Sequence, residues 1–293
     1  MGMNRSEIEE GYREMQGRLA SALEALDGTR RFRVESWERP GGGGGESWAL
    51  AGDGAVERAA VNVSGVWGET PPAMSERVVS ADTRFYATGI STIVHPRNPH
   101  APTFHANLRY FETESGAWFG GGADLTPYYL YIEDARHFHG RLRSTCDRHA
   151  VADYPVWKAE CDRYFYLPHR QEARGVGGIF FDHVTEDLGA VWDFQQDLGA
   201  SLVDAYLPIL ERRVGSPFGP DHDRWHELRR GRYVEFNLVW DRGTRFGLET
   251  GGRTASILAS LPPRARWDED FLTEPGSPEE ELLDLVRGEP RAW

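Results

Sequence analysis

The chain is short of cysteine, of long apolar runs, of anything resembling a leader and of positive charge. Two cysteines in 293 residues, Cys146 and Cys161, are too few for a disulfide framework and form no CxxC pair, so a reducing compartment is expected. No run approaches the ~18 apolar residues of a membrane span, and the charged N-terminus lacks the apolar stretch of a signal peptide. A soluble, cytoplasmic protein is the expectation. A net charge of −13 argues against non-specific nucleic-acid binding, which depends on Lys and Arg neutralising phosphates. Low complexity is confined to residues 41–45, five glycines flanked by strand-like runs at 32–37 and 48–56, with Gly52-Asp53-Gly54 marking a turn. This reads as a glycine-rich loop inside a domain rather than as a linker.

What remains is enough for a sizeable core, with 40% apolar and 12% aromatic residues. Ser6 with Glu9 has the form of a capping box, and Ile8, Tyr12, Met15, Leu19, Leu23 and Leu26 follow at helical spacing up to Asp27-Gly28. Short strand candidates then succeed one another through Phe111, without helices long enough for parallel crossovers, which predicts an antiparallel sheet. Helical patterning returns at 133–149, 156–164 and 187–213, with a strand at 178–184. Val234, Phe236, Leu238 and Trp240 alternate with polar residues and predict a further strand from Tyr233. The class is α+β.

Residues 90–109, ISTIVHPRNPHAPTFHANLR, hold three histidines, three prolines and two arginines between two strand-like runs. Alternation puts Ser91, Ile93 and His95 on one face, and then His105, Asn107 and Arg109 on one face with Phe104, Ala106, Leu108 and Tyr110 on the other. The prolines argue for a stiff connection holding the two strands in a fixed relation. One side packs; the other presents polar groups in a row, as a binding surface does.

The wording of this segment resembles the oxygen-dependent coproporphyrinogen III oxidases, whose pattern here runs roughly HPxNPxxPTxHxNxR. Four further blocks agree: residues 37–45 (WERPGGGGG), 118–129 (WFGGGADLTPYY), 164–182 (YFYLPHRQEARGVGGIFFD) and 231–263, which opens GRYVEFNLVWDRGT and closes SILASLPP. The resemblance runs from about residue 12 to 267, leaving an acidic tail at 268–293, within a single domain of 1–293. It implies a three-layer α/β/α arrangement, a large antiparallel sheet covered by helices on both faces, in a homodimer. It also implies oxidative decarboxylation of two propionates of coproporphyrinogen III to the vinyls of protoporphyrinogen IX. Molecular oxygen would be the co-substrate, with no organic cofactor.

The same resemblance implies roles for individual residues. His105 matches the proton donor, and Asp124 of GGGxDLTP matches a carboxylate placed among the pyrrole N–H groups, projecting here from a tight glycine loop. Ser91, Asn107, Leu108, Arg109, Gly251, Gly252 and Arg253 match substrate contacts. Arg109 and Arg253 suit propionates because guanidinium grips carboxylate bidentately, and Arg174 is a third candidate. His95, His105, His139 and His169 match positions proposed as ligands of a divalent metal. Spacing alone supplies no compact ligand motif for them, and the alternative is that they hydrogen-bond substrate, carboxylates or backbone. Three positions depart from the family pattern: His183 follows FFD where a second acid is usual, and Ala255 and Ala259 replace Glu and Met. Two rival readings are a catalytically silent tetrapyrrole carrier, which need not keep Asp124 and His105, and a histidine-metal oxygenase, whose short triad motif is missing.

Overall fold

The computed structural model describes residues 4–69, 83–249 and 252–293. Helix α1 (Arg5–Asp27) forms because Ile8, Tyr12, Met15, Leu19 and Leu23 bury along one stripe. Asn4, rather than Ser6, caps it by accepting the Ser6 N–H at 3.1 Å, and Gly28 ends it in the left-handed region at φ 72°.

Next come β1 (Arg33–Glu38), β2 (Gly43–Ala51), β3 (Val56–Glu69), β4 (Arg84–Pro96), β5 (Thr103–Thr113) and β6 (Ala117–Thr126). They pair antiparallel in chain order. Contrary to the loop expected at 41–45, Gly43, Gly44 and Gly45 lie within β2 and pair with Val66, Gly65 and Ser64. Close backbone approach is the reason for glycine there, since a Cβ on Gly45 would stand 2.4 Å from the Val63 carbonyl oxygen.

After β6 the chain makes α2 (Ile132–Cys146), α3 (Tyr154–Tyr164) and a small hairpin of β7 (Tyr166–Leu167) and β8 (Glu172–Ala173). Strand β9 (Gly177–Val184) then joins β6 to complete a seven-stranded sheet among the described residues. The remainder is α4 (Leu188–Arg213), α5 (Pro220–Glu235), a π-helical turn (Phe236–Trp240), α6 (Arg242–Glu249), α7 (Thr254–Ile257), a 3-10 turn (Leu258–Ser260) and α8 (Pro278–Arg287).

The strand expected from Tyr233 is therefore helix. Trp225, Leu228, Tyr233 and Phe236 recur at helical spacing and are all buried, whereas Leu238 and Trp240 of the period-two pattern stay 45% and 39% exposed. Burial follows the longer period, and the helical reading wins.

The two faces of the sheet differ. Phe104, Ala106, Leu108 and Tyr110 of β5 are each at most 3% exposed and share one core with side chains of α1, α2 and α4. On the opposite face the end of α5 and the 3-10 turn set Tyr233 and Ala259 against Ala60 of β3 and Ile93 of β4. The architecture is α+β, with helices on both faces. The acidic tail folds back: α8 buries Leu282, Leu285 and Val286 in the main core, and the Trp293 indole donates to the Val176 carbonyl at 3.2 Å. No helix among the described residues is long and apolar enough to cross a membrane.

Candidate functional site

The odd-numbered side of β5 faces away from the main core, and strand register aligns its polar residues with those of neighbouring strands. Asn62 of β3, Ser91 of β4, Asn107 of β5 and Gly122 of β6 lie in one row. On one side of it runs Ser64, Gly89, Arg109 and Gly120; on the other run Ile93, His105, Asp124 and Gly178. Glycine and serine leave a low floor between two groups of charged side chains.

Asp124 stands on β6, directly across from His105, not on the tight loop expected for the glycine triplet. The glycines are strand residues, of which Gly120 and Gly122 leave the site face of the sheet clear of side chains. A Cβ on Gly120 would fall 2.6 Å from Asp182 Oδ1 and 2.9 Å from Arg109 Nη2.

His105 Nδ1 lies 2.8 Å from Asp124 Oδ1, and Arg174 Nη2 bridges both carboxylate oxygens at 2.6 and 2.7 Å. Burial alone would push the Asp124 carboxyl up, but the Arg174 guanidinium and the His105 imidazole outweigh it and hold the group below the usual carboxylate range. Asp124 is thus an anion that only accepts hydrogen bonds. It follows that His105 donates from Nδ1, and that the 3.5 Å approach of Arg174 to that nitrogen is the weaker contact. His105 Nε2 has no partner among the described residues, and the side chain is 22% exposed. The dyad therefore offers one imidazole nitrogen to a ligand.

Arg174 was expected as a propionate contact, yet its side chain is 1% exposed and its guanidinium sits 3.9 Å from the Phe165 ring and 4.7 Å from those of Tyr233 and Phe236. It is the counter-ion of Asp124, shielded by aromatics. Of the other expected contacts, Ser91 is exposed on the floor, and Arg109 donates to Asn107 Oδ1 at 2.8 Å and pairs with Asp182 at 3.0 Å. Leu108 points the other way, into the core, and its backbone is committed to the sheet. Arg253 caps α7, holds Ser256 Oγ at 3.0 Å and pairs with Glu35 of β1. Helix α7 is tied to the floor by Ser256, which meets Ser47 Oγ at 2.8 Å and accepts from Asn62 at 3.3 Å. Gly252 donates to the Gly247 carbonyl at 2.8 Å, and Gly251 lies outside the described residues.

Residues 7–293 match the family described as coproporphyrinogen III oxidase. The chain belongs to that family. It is 49% identical over 99% of its length to the oxygen-dependent coproporphyrinogen-III oxidase, chloroplastic, of Glycine max, covering 79% of that protein. The Nicotiana tabacum protein of the same name is 46% identical, with 99% and 77% covered. Coproporphyrinogen-III oxidase 1, chloroplastic, of Arabidopsis thaliana is 45% identical, with 99% and 79% covered. The family match takes in residues 268–293, which the motifs alone left out, in keeping with the packing of α8 into the core.

Within this coproporphyrinogen oxidase fold the four histidines matched to a metal are not brought together. His95 is fully buried, with Nδ1 on Thr103 Oγ1 at 3.0 Å and Nε2 on the Ser260 carbonyl at 2.9 Å. His139 is held between the Tyr154 hydroxyl at 2.8 Å and the Val176 carbonyl at 3.0 Å, and burial pushes its pKa down to about 3. His169 bridges Glu235 at 2.7 Å and the Trp240 indole at 3.0 Å. Among the described residues no three His, Cys, Asp or Glu side chains are grouped as a metal would need, so these four do not fit one ion. Each of the four is instead hydrogen-bonded within the protein, His105 to Asp124 and the others as above.

Three residues of the site escaped the sequence reading. Asn62 shares the floor, and the alternation of Val61 and Val63 with Asn62 and Ser64 was its signal. Asp182, the acid of FFD, is the partner of Arg109. Arg242 lies 5.7 Å from the Phe180 ring, which Arg109 approaches at 5.9 Å, so two guanidiniums flank one aromatic. The departures from the family pattern lie outside the dyad: His183 stacks on Trp118 at 4.4 Å, Ala255 is exposed, and Ala259 packs on Ile93 and Ala60.

Proposed function

We propose that this protein oxidatively decarboxylates coproporphyrinogen III to protoporphyrinogen IX, turning two propionates into vinyl groups with molecular oxygen as acceptor. The family and the names of its relatives support the reaction. The observation that carries it in this chain is the buried Arg174–Asp124–His105 array beside a low floor of glycine and serine with Arg109 on its far side. Each turn of the reaction removes one carbon dioxide and one β-hydrogen from a propionate and passes two electrons to oxygen, which with one further proton leaves as hydrogen peroxide. His105 Nε2 exchanges a proton with the substrate, and the Asp124 carboxylate stabilises the imidazolium that forms and fixes its orientation. Arg109 and Arg253 take propionates, and Ser91 and Asn107 supply polar contacts between them.

Asp124 thus acts through His105 rather than touching the pyrroles itself, because its oxygens are already held by Arg174 and His105. In the same reading the chain acts as one domain, as a homodimer in the cytoplasm. Buried, unpaired Cys146 and Cys161 support a reducing setting, and the exposed run Leu238, Val239 and Trp240 supports a second copy covering that surface. The test is incubation of metal-stripped protein with coproporphyrinogen III in air and without oxygen, following protoporphyrin fluorescence after oxidation. Product in air alone is expected; tight binding with no product under either condition would make the protein a carrier.

A further inference from the structure

Two of the site's arginines are already neutralised by carboxylates of the protein, in pairs unlike the one at the dyad. The Arg109–Asp182 side chains are 33% and 32% exposed and the Arg253–Glu35 side chains 26% and 40%, against 1% and 2% for Arg174–Asp124. Solvent reaches the first two pairs, and an exposed pair biases an equilibrium by only about two- to fivefold. A buried pair is held far more firmly. We propose that Asp182 and Glu35 are resident carboxylates, which occupy Arg109 and Arg253 in the free protein and are displaced by substrate propionates. The inference rests on the proposed function and names two residues that set how tightly that site takes an anionic substrate.

Local geometry supports exchange. The Arg109–Asp182 bridge crosses β6 at Gly120, the one residue there whose missing Cβ leaves room for both groups. Arginine carries five N–H donors, and Arg109 directs one terminal nitrogen to Asn107 and the other to Asp182, so the Asn107 bond can hold the guanidinium in place while its anionic partner changes. Neither resident acid is stranded when it leaves. Asp182 Oδ1 also accepts the His183 backbone N–H at 3.0 Å, and Glu35 Oε2 has Arg33 at 3.4 Å.

Exchange also has a use at the end of turnover. A propionate that loses its carboxylate no longer neutralises the arginine that held it, and the resident acid then closes onto that arginine. The cation is never left bare, and the product loses its grip.

The experiment compares Asp182→Asn, Asp182→Ala and Glu35→Gln with the parent protein. Coproporphyrin III, the fluorescent oxidised form with the same four propionates, serves as the binding probe, alongside turnover of coproporphyrinogen III. Each variant should bind the probe about two- to fivefold more tightly, and the gain should shrink as added salt screens the site. A residue that merely orients its arginine would weaken binding when removed, so the direction of the change separates the two roles. Unchanged or weaker binding in variants that melt like the parent overturns the exchange. If the parent binds and turns over while the variants fail to tighten, the exchange alone is wrong; if the parent neither binds nor turns over, the proposed function falls first.

Discussion

Phe104, Ala106, Leu108 and Tyr110 point from β5 into the helical core, whereas His105, Asn107 and Arg109, each one residue away, lie on the opposite face of the sheet. On the first side the neighbours are apolar and tolerance is set by packing. On the second, each charged group is defined by its partner: Arg174 for Asp124, Asp182 for Arg109 and Glu35 for Arg253. One strand thus carries the core on its even residues and the proposed site on its odd ones, and substitutions on the two sides should fail in different ways.

The largest effect belongs to the dyad. Asp124→Asn leaves the Arg174 cation buried and unpaired, which should cost about 3–5 kcal/mol of stability in a denaturant titration. Pairing it with Arg174→Met removes the stranded charge and should restore most of that stability, while turnover stays down by at least about 100-fold. A stable double variant with near-parental turnover would detach Asp124 from the chemistry. On the even side, Leu108→Ala should destabilise by about 2–5 kcal/mol through a core cavity, with kcat per folded molecule unchanged. Lowered kcat in the folded fraction would show that the two sides are coupled.

Arg109→Lys should raise KM for coproporphyrinogen III about tenfold with a smaller change in kcat, because an ammonium cannot hold Asn107 and a carboxylate with one rigid fork. Unchanged KM and Kd would mean that Arg109 faces something other than a propionate. A gentler effect separates the buried imidazoles from the exposed one. Burial lowers the folded pKa of His95, His139 and His226, to about 3 for His139, while the unfolded value is near 6.5. As pH falls below about 6.5 the unfolded chain takes up protons that the folded one refuses, so stability present above that pH is progressively lost. His139→Gln should flatten the acid side of the Tm–pH curve; an unaltered slope would mean that this imidazole titrates alike in both states. Smallest of all, His169→Ala, at an exposed bridge between Glu235 and Trp240, should keep turnover within about twofold. Its loss of activity, with recovery on adding one metal, would restore His169 to the site.

Much of this contrast was legible in the sequence wherever a period met no competitor. The alternation in residues 104–110 assigned both faces of β5 correctly, and the stripe of α1 placed its buried residues. Where two periods overlapped, at 233–240, the shorter was followed and a helix was read as a strand, because burial that distinguishes them comes from α5 packing on β3 and β4. Arg174 shows the other limit. Its type suited a propionate, and only the fold brings it, 50 residues along the chain, onto Asp124. Gly120–Gly122 likewise suggested a loop, since the need for clearance above a strand is invisible until β9 and the Arg109–Asp182 bridge are in place.

The central claim is that His105, held by Asp124, moves the proton in the reaction. The most direct test is His105→Gln, whose amide can still hydrogen-bond Asp124 but cannot exchange a proton near neutral pH. Coproporphyrin III binding and aerobic turnover of coproporphyrinogen III would be measured on the same preparation. The account predicts binding within about threefold of the parent and turnover reduced by at least about 100-fold. Turnover within about threefold of the parent, in a variant that binds normally, would contradict it.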